Sequence, residues 1–128
     1  MKEKLTELLK NAYAPYSNYS VSAIVSTNDG KLFYGVNVEN ASYGSTICAE
    51  KSAIVSAVTH GYKKGNFSKL YVMVGSGEIG TPCFSCRQII LEFFDLEDEV
   101  ICMNTLGEEV IYKVSELCPY PFSKEDLI

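Results

Sequence analysis

The sequence predicts an α/β domain in which helices pack on a sheet, and three observations indicate this class. The predicted elements follow the order helix, strand, strand, helix, strand, helix, strand, strand, and strand–helix–strand units favour parallel strands covered by helices. Apolar residues make up 47% of the 128 residues and charged residues 21%, which is typical of a globular protein with a hydrophobic core. No internal repeat, low-complexity stretch or linker divides the sequence, so we expect one domain over residues 1–128.

The first half of the sequence predicts a helix, a β-hairpin and a second helix. Leu5 and Leu9 lie on one face of the first helix, and Pro15 follows its end. The Asn-Asp-Gly sequence at 28–30 is typical of a hairpin turn between two strands. Gly61 supplies a C-terminal stop for the second helix. The predicted ranges are 3–13 for the first helix, 21–27 and 32–38 for the strands, 40–46 for a loop and 48–60 for the second helix.

The second half predicts one more helix and three strands. Pro82 begins this helix, because proline suits the first helical turn, and apolar residues from Ile89 to Phe94 continue it. A glycine-rich loop over 75–81 comes before it. The predicted ranges are 69–74, 100–104 and 109–114 for the strands, with short helical turns at 115–117 and after Ser123.

Charge and cysteine content narrow the functional classes. The formal net charge is −5, which argues against a protein that tracks a nucleic-acid backbone, since such proteins usually carry a basic face. The sequence has no long apolar run and no signal peptide, so we expect a cytoplasmic protein without a membrane partner. Five cysteines, an odd number, argue against a disulfide framework and favour reduced thiols that bind a metal.

Two cysteine-bearing segments, Cys-Ala-Glu and Pro-Cys-Phe-Ser-Cys, are the most informative feature of the sequence. Cys48, Cys83 and Cys86 offer three thiolates for one Zn²⁺, and Glu50 places a carboxylate near the first of them. A zinc site with three protein ligands keeps its fourth position open for a water, as a catalytic zinc requires. Both segments fall at predicted helix starts, whose free N–H groups and partial positive charge favour thiolates. We therefore expect one zinc per chain and a role for Glu50 in moving the protons of that water.

The cysteines also allow non-catalytic interpretations. A lone Cys-x-x-Cys pair is typical of a redox pair or of half a structural zinc site, and a single cysteine is often a small buried hydrophobe. A structural zinc would need a fourth protein ligand, for which His60, Cys102 and Cys118 are the candidates. His60 lies about 18 Å along the helix from Cys48, which excludes a shared ion. Cys102 lies in an apolar strand and is expected in the core, whereas Cys118 stays open as a fourth ligand.

The sequence resembles the small cytidine deaminases of pyrimidine salvage over nearly its whole length. The segments that carry the resemblance are Ala-Tyr-Ala-Pro-Tyr-Ser-Asn-Tyr-Ser-Val at 12–21, Asn-Val-Glu-Asn-Ala at 37–41, Cys-Ala-Glu at 48–50, Thr-Pro-Cys-Phe-Ser-Cys-Arg-Gln at 81–88 and Pro-Phe-Ser-Lys-Glu-Asp-Leu at 121–127. Zinc deaminases in general share the cysteine segments, whereas the 37–41 segment is more specific. The resemblance implies a three-layer fold with a five-stranded mixed sheet and helices on both faces. It also implies a homotetramer with shared active sites.

The reaction that the resemblance implies is the zinc-dependent hydrolysis of cytidine and deoxycytidine to uridine and deoxyuridine, with release of ammonia. In this family, the cysteines that match Cys48, Cys83 and Cys86 hold the zinc. The glutamate that matches Glu50 transfers protons between water and the base. The partner is then a small-molecule nucleoside.

Asn37 and Glu39 are implied by the resemblance to hold the ribose 3′-hydroxyl. Two side chains separated by one residue at the end of a strand share a face. An asparagine donor and a glutamate acceptor suit a hydroxyl, which both donates and accepts. Residue types alone would more often indicate turn chemistry or exposed polar surface, so the sugar site depends on the resemblance.

Five further residues are implied to contact the substrate. Tyr19 falls where the family commonly has a phenylalanine that stacks on the pyrimidine. Ala49 and Thr81 are expected to contact the base edge through backbone groups. Phe122 matches a tail aromatic that the family places in a neighbour's site, and Tyr43 is a similar candidate for contact across a subunit boundary. An isolated aromatic residue is usually a core residue, so these assignments also depend on the resemblance.

The sequence departs from the family near the metal segments. Lys51 replaces an arginine that hydrogen-bonds the ligand sulfurs, and it keeps the charge but loses the planar fork. A solvated helix lysine is an equal interpretation, in which case helix N-termini or Arg87 would offset the thiolate charge. Phe84 is bulky and is expected to narrow the pocket. The tyrosine at position 19 and the serine at position 22 give the sequence a resemblance to blasticidin-S deaminases. Those enzymes lack the Asn-Val-Glu-Asn segment that is present here.

Rival functions predict different features. A deaminase of a cytosine nucleoside antibiotic such as blasticidin S would share the zinc centre and differ in substrate. A structural zinc module would need a fourth ligand, Cys118, and would give Glu50 no role. A polynucleotide deaminase is disfavoured by the acidic net charge and by the absence of a basic segment.

Overall fold

The computed structural model describes residues 1–127, and Ile128, the last residue of the predicted 1–128 domain, lies outside the described residues. The helices and strands are α1 (Lys2–Leu9), β1 (Val21–Thr27), β2 (Leu32–Val36), α2 (Ala49–Thr59), β3 (Phe67–Val74), α3 (Phe84–Phe93), β4 (Glu99–Met103), β5 (Glu109–Lys113) and α4 (Val114–Leu117). Short 3-10 turns lie at Tyr43–Ser45 and Lys124–Leu127. Every predicted helix and strand has a counterpart in this series.

The strands form one five-stranded mixed sheet in the spatial order β2-β1-β3-β4-β5. β3 and β4 pair in parallel on either side of the α3 crossover, whereas the other neighbouring pairs are antiparallel. β2 and β3 run in the same direction, but β1 lies between them and pairs with both. The parallel pairing expected of a strand–helix–strand unit therefore occurs between β3 and β4 but not between β2 and β3. The predicted five-stranded mixed sheet is confirmed.

Helices cover both faces of the sheet, as predicted. On one face, Leu5 of α1 packs against Ile24 of β1. On the other face, the neighbouring residues Ala23 and Val25 belong to a larger core with Ile90 of α3 and the apolar side of α2. Successive side chains of a strand point to opposite faces, so a single strand serves both helical layers. The result is the expected three-layer arrangement.

A glycine on β2 lets the start of α2 lie directly on the sheet. A Cβ atom at Gly35 would lie 2.5 Å from the backbone nitrogen of Ala53 and 2.8 Å from the Cβ atom of Ser52. Both distances are shorter than van der Waals contact, so any larger residue would push the two elements apart. Glycine at this position therefore sets how closely the N-terminal turns of α2 approach β2.

The first helix is shorter than its predicted range of 3–13, since α1 ends at Leu9. Tyr13 instead pairs with Val38 in an isolated bridge, and its N–H donates to the Asn37 carbonyl at 3.0 Å. This pairing with a distant segment takes the residues after Leu9 out of the helix. It also holds the segment that follows β2 against the chain before β1.

The third helix begins later than predicted. Pro82 does not start α3, which begins at Phe84 with Cys83 as its N-cap in an extended conformation. Proline restricts the residue before it to extended conformations, and here it lies just outside the helix. This two-residue shift is important for the chemistry because it places Cys83 at the helix N-terminus.

Candidate active site and metal centre

Three cysteine thiols meet between the N-termini of α2 and α3. Cys48 is the N-cap of α2, Cys83 is the N-cap of α3, and Cys86 lies in the first turn of α3. Their Sγ atoms all lie within 4.8 Å of one another. The Sγ atoms of Cys48 and Cys83 are 3.9 Å apart. The fold therefore brings together the two cysteine segments that the sequence singled out.

The spacing of the thiols fits a zinc ion. A tetrahedral centre with Zn–S bonds of about 2.3 Å places two sulfur ligands about 3.8 Å apart. This value is close to the 3.9 Å between Cys48 and Cys83. Within residues 1–127 the group contains three ligand side chains and no fourth, which is the ligand count of a catalytic zinc site.

The other candidate zinc ligands lie elsewhere. The Cys118 thiol donates to the backbone carbonyl of Arg87 at 3.6 Å. Cys102 is part of the core, and burial raises the pKa of its thiol to about 12. His60 is the C-cap of α2, with its Nδ1 atom 2.7 Å from the Ser56 carbonyl. A structural zinc module needs a fourth protein ligand, and none of these three candidates supplies it within residues 1–127.

The thiol cluster is electrostatically suited to a cation. Burial raises the pKa of the Cys86 thiol far above its ordinary value and also raises the pKa of Cys48. Burial acts in the same direction on Cys83, but hydrogen bonds from the backbone and thiol of Cys86 and from Cys48 outweigh it and lower the Cys83 pKa. Metal ligands must be deprotonated, and three neighbouring thiolates repel one another. A bound cation is the group that would stabilise this cluster of charges.

Glu50 lies beside the thiols in the first turn of α2. Its side chain is buried and lines the same cavity as the three cysteines. Burial raises the pKa of the Glu50 carboxyl, and hydrogen bonds from its own backbone and from Cys86 offset this effect in part. A carboxyl with a raised pKa takes up a proton more readily than an exposed carboxyl, which suits a group that accepts and releases protons.

A cavity of about 330 Å³ opens over the thiols and Glu50. This volume falls within the range of about 300–1,000 Å³ that is usual for small-molecule sites. Six of the seven residues predicted to contact the substrate line it: Tyr19, Asn37, Glu39, Tyr43, Ala49 and Thr81. Five lining residues were not singled out from the sequence: Ser17, Val21, Thr46, Val72 and Val74.

Some of these missed residues left a signal in the sequence. Val72 and Val74 are two apart on a predicted strand, so they share a face of the sheet. Ser17 lies in the 12–21 segment that carries the resemblance, but residue type alone gives it no role. Its importance depends on Glu39, which is distant in sequence and close in the fold.

Phe122, the seventh predicted contact, lies outside this cavity. Its side chain is 56% exposed, and its carbonyl accepts a hydrogen bond of 2.7 Å from the Gln88 amide. With Phe84 and Arg87 it lines a separate depression beside α3. Its contact with a neighbouring subunit's site therefore stays a prediction.

Asn37 and Glu39 are buried and hydrogen-bonded to the segment that carries Tyr19. The Asn37 amide oxygen accepts the Val21 N–H at 2.9 Å, and its amide nitrogen donates to the Tyr19 carbonyl at 2.8 Å. The Glu39 carboxylate accepts two backbone N–H groups and one hydroxyl from the same segment. These hydrogen bonds, above all the one from the Ser17 hydroxyl, lower the pKa of Glu39.

Arg87 anchors the segment that leads into α3. Its guanidinium donates to the carbonyls of Pro82 at 2.8 Å and Leu117 at 3.1 Å, and to the hydroxyl of Thr81 at 2.9 Å. These bonds hold Thr81 at the wall of the cavity and tie it to the end of α4. Arg87 therefore lies behind the metal segment and supports it from outside the cavity.

Three residues at which the sequence departs from the family lie outside the cavity lining. The Lys51 ammonium donates to the Ser85 hydroxyl at 3.0 Å. Phe84 is 78% exposed and packs 4.5 Å from the Arg87 guanidinium, so the expectation that it narrows the pocket is wrong. Ser22 is buried and donates to a backbone carbonyl of α1 at 2.8 Å. This hydrogen bond joins β1 to α1.

Comparison with known proteins identifies the family. The sequence model described as "cytidine and deoxycytidylate deaminase zinc-binding region" matches residues 1–103. The chain belongs to this family. Among curated relatives, cytidine deaminase of Mycobacterium tuberculosis is 40% identical over 130 aligned positions, and the alignment covers 99% of this chain and 90% of that protein. Cytidine deaminase of Sporosarcina psychrophila is 38% identical over 118 residues, or 92% of this chain and 85% of that protein.

Solved structures of the deaminase family share this fold. The crystal structure of cytidine deaminase from Burkholderia pseudomallei superposes with a TM-score of 0.89 and 41% sequence identity, covering 94% of each chain. The predicted deaminase-like α/β fold is thereby confirmed. Within residues 1–127 none of the helices has the length and apolar character that a membrane crossing needs.

Proposed function

We propose that this chain is a zinc-dependent hydrolase that converts cytidine and deoxycytidine to uridine and deoxyuridine with release of ammonia, as in pyrimidine salvage. The observation that carries the proposal is the convergence of Cys48, Cys83 and Cys86 with the buried Glu50 in one cavity. Membership of the zinc-binding deaminase family supports it, as do relatives named cytidine deaminase.

Cys48, Cys83 and Cys86 are the proposed ligands of one zinc ion per chain. When bound, zinc supplies a water that is activated to attack C4 of the cytosine ring. Cys48 and Cys83 are N-caps, so two helix N-termini direct free N–H groups and partial positive charge towards the thiolates. This arrangement offsets part of the negative charge of the ligands.

Glu50 is the proposed proton carrier. In the overall hydrolysis, the oxygen of water becomes the carbonyl oxygen at C4, and its two protons go to ring N3 and to the departing ammonia. One carboxyl that takes up each proton and passes it on serves both transfers. The raised pKa of Glu50, caused by burial, suits alternate uptake and release.

The cavity favours a nucleoside over a nucleotide. Within residues 1–127 no lysine, arginine or histidine lines it, whereas Glu39 and Glu50 do. A phosphate group would meet these carboxylates without a cation to replace its lost hydration. Asn37 and Glu39 offer instead a donor and an acceptor that suit a neutral sugar hydroxyl.

The remaining predicted contacts divide between one chain and its neighbours. We assign Tyr19 to the face of the pyrimidine, and Ala49 and Thr81 to backbone contacts with its edge. Tyr43 lines the cavity and is more than half exposed, whereas Phe122 lies outside its own chain's cavity. We propose that both meet neighbouring subunits in a homotetramer, where each Phe122 completes an adjacent site. Thiolate zinc ligands also fit a reducing compartment, the cytoplasm.

Lys51 and Arg87 are proposed to offset the charge of the thiolate centre indirectly. Lys51 holds Ser85, which lies between two of the proposed ligands in sequence. Arg87 holds the segment that leads to Cys83. Each cation binds neutral groups of residues that neighbour the proposed ligands and does not bind a thiolate itself. We therefore expect each cation to affect metal affinity more than substrate binding.

An ultraviolet assay with a panel of substrates tests the proposal. The panel contains cytidine, deoxycytidine, cytosine, cytidine monophosphate, blasticidin S and a short single-stranded oligonucleotide, and zinc content is measured in parallel. We expect turnover of cytidine and deoxycytidine, with the other compounds poor substrates. Faster turnover of blasticidin S would favour the antibiotic deaminase. One zinc per chain without turnover of any compound would contradict the enzymatic function.

A further inference from the structure

The segment 16–21 forms part of the cavity wall and is held by hydrogen bonds to the proposed sugar-binding pair. The Glu39 carboxylate accepts the backbone N–H groups of Tyr16 at 3.0 Å and Ser17 at 3.1 Å, and also the Ser17 hydroxyl. The Ser17 hydroxyl oxygen in turn accepts the backbone N–H of Tyr19 at 3.0 Å. One hydroxyl therefore lies between the Glu39 carboxylate and the residue proposed to contact the base.

Asn37 holds the same segment from the other side. Its amide nitrogen donates to the Tyr19 carbonyl at 2.8 Å, and its amide oxygen accepts the Val21 N–H at 2.9 Å. Tyr19 is thus fixed through its carbonyl by Asn37 and through its N–H by Ser17. Asn18 has a φ of 56°, a left-handed conformation that asparagine tolerates better than most residues. The hydrogen bonds on both sides of Asn18 hold this turn.

A count of donors and acceptors defines what the sugar-binding pair can still offer. A carboxylate has about four lone-pair sites, and Glu39 uses three of them on the segment. The remaining site is on Oε2, the oxygen that the Ser17 hydroxyl also binds. Asn37 keeps one amide N–H after its bond to Tyr19. One acceptor and one donor remain, which match one hydroxyl group.

We propose that Ser17 is a positioning residue that couples sugar binding to base binding. The inference rests on the proposed function, because it takes Asn37 and Glu39 as the sugar contacts and Tyr19 as the base contact. The Ser17 hydroxyl fixes the carboxylate oxygen that receives the sugar hydroxyl, and the same group fixes the Tyr19 backbone. A nucleoside engages both sides of this link, whereas free cytosine engages the base side alone.

Variants at position 17 test the link. Ser17→Val removes the hydroxyl, and Ser17→Thr keeps it in a side chain of nearly the same shape. Ser20→Ala is the matched control, because Ser20 is bonded through its carbonyl and not through its hydroxyl within residues 1–127. We expect Ser17→Val to lower kcat/KM for cytidine about 10- to 100-fold, the effect of losing a hydrogen bond to a charged group. The loss should appear mainly in KM and be smaller for cytosine, while Ser17→Thr and Ser20→Ala stay close to wild type.

Two further measurements separate coupling from a general structural role. In the Glu39→Ala background, Ser17→Val should have little additional effect on cytidine, because the link passes through the carboxylate. Full additivity of the two substitutions would overturn the proposal. In the substrate-free protein, Ser17→Val should accelerate amide hydrogen exchange at Tyr19, whereas Ser20→Ala should not. Equal Tyr19 exchange in wild type and Ser17→Val would also overturn it.

The outcomes distinguish this inference from the proposed function. No turnover of any nucleoside by the wild type would overturn the proposed function and the coupling with it. Normal turnover by the wild type, with Ser17→Val indistinguishable from Ser17→Thr, would overturn the coupling and leave the function in place. Thermal unfolding checks that each variant folds, and Ser17→Ala replaces Ser17→Val in the same cycle if the valine variant does not.

Discussion

Glu50, the proposed proton carrier, shows how burial acts on one side chain of the cavity. Burial disfavours the charged form of its carboxyl, so the pKa rises. The same residue lies in the first turn of α2, two residues after the N-cap Cys48, and lines the same cavity as the thiol cluster. Glutamine has nearly the same shape without an ionisable proton, so this substitution separates proton transfer from a structural contribution.

We expect Glu50→Gln to retain one zinc per chain and to lose at least about 10²–10⁴-fold in kcat for cytidine, the usual contribution of general acid–base catalysis. The measurements are steady-state kinetics and metal analysis. Cys48→Ser is the comparison, because it removes a proposed ligand and should lose zinc. If Glu50→Gln lost zinc as readily as Cys48→Ser, a ligand or structural role would replace proton transfer.

The Glu39 carboxylate should make stability depend on pH in the acidic range. Hydrogen bonds from the Ser17 hydroxyl and from the backbone hold its pKa below the ordinary value of 4.5. A lowered pKa in the folded state stabilises the fold above the unfolded-state pKa, and this stabilisation is lost as pH falls through the folded-state pKa. We expect the Tm difference between wild type and Glu39→Gln to be largest above about pH 5 and to shrink below it. Thermal unfolding from acidic to neutral pH measures this, with the exposed Glu3→Gln as control, and a constant difference would contradict it.

Among the elements, the end of β4 supports the glycine-rich loop at 75–81. The Asn104 side chain is buried and donates to the Gly77 carbonyl at 2.9 Å and to the Glu108 carboxylate at 2.7 Å. Its amide oxygen accepts the backbone N–H groups of Leu106 at 3.1 Å and Glu108 at 2.9 Å. One side chain thus fixes both the β4–β5 turn and the loop that leads to the cavity wall.

Asn104→Ala should destabilise the fold by about 1–3 kcal/mol, because it removes four hydrogen bonds that one buried side chain makes. Thr105→Ala is the matched control, since the Thr105 hydroxyl bonds the same loop at the Ser76 carbonyl, 3.0 Å away, in an exposed position. We expect the control to lose less than about 1 kcal/mol. Urea unfolding of both variants measures the difference, and equal losses would show that burial of Asn104 contributes nothing special.

Local patterns predicted the helices and strands, and distant partners explain where the predictions were wrong. The apolar period of residues 3–13 is helical, yet Tyr13 leaves the helix to pair with Val38. The contacts of Arg87, named from the sequence as one group that would offset the thiolate charge, were not predicted either: its guanidinium binds carbonyl and hydroxyl groups that include the Leu117 carbonyl on α4. Neither partner can be read from the local sequence, because each depends on how separate elements pack.

For the whole molecule, the sequence predicted the deaminase fold and the convergence of the cysteine segments, since both follow from motifs that the family shares. It did not predict the orientation of Phe84, because a shift of the start of α3 to that residue changes which way its side chains point. Nor did it identify Ser17, whose contacts arise from the pairing of two loops. Residue type was enough to name the proposed metal ligands, while the supporting hydrogen bonds required the fold.

A mixing experiment tests whether sites are shared between subunits. Phe122 is exposed and lies outside its own chain's cavity, so it is available to a neighbour. We expect Phe122→Ala and Glu50→Gln to be nearly inactive as pure oligomers and to recover activity when their subunits exchange. The gain arises because a mixed interface can contain an intact Glu50 and an intact Phe122. Activity assays on oligomers verified by mass spectrometry measure it, and no recovery would mean that Phe122 acts within its own chain.

Gly35→Ala should weaken zinc binding without altering any proposed ligand. The added Cβ atom would collide with the backbone of Ala53 on α2. Gly44→Ala is the matched control, because a Cβ atom there meets nothing within 4 Å. Competition with a chelator measures the affinity of each variant. Equal zinc affinity in the two variants would show that β2 and α2 adjust without moving Cys48.

The reason for this expectation is that a zinc ion would connect two helices, α2 and α3, that pack on the sheet separately. Cys48 reaches the centre from α2, whereas Cys83 and Cys86 reach it from α3. The distance between α2 and β2 sets how far Cys48 lies from Cys83 and Cys86. Zinc–sulfur bonds have a narrow range of lengths, so a change in this distance should weaken binding. On this expectation, Gly35 sets the affinity for zinc although it contacts neither the ion nor the substrate, because it lacks a single carbon atom.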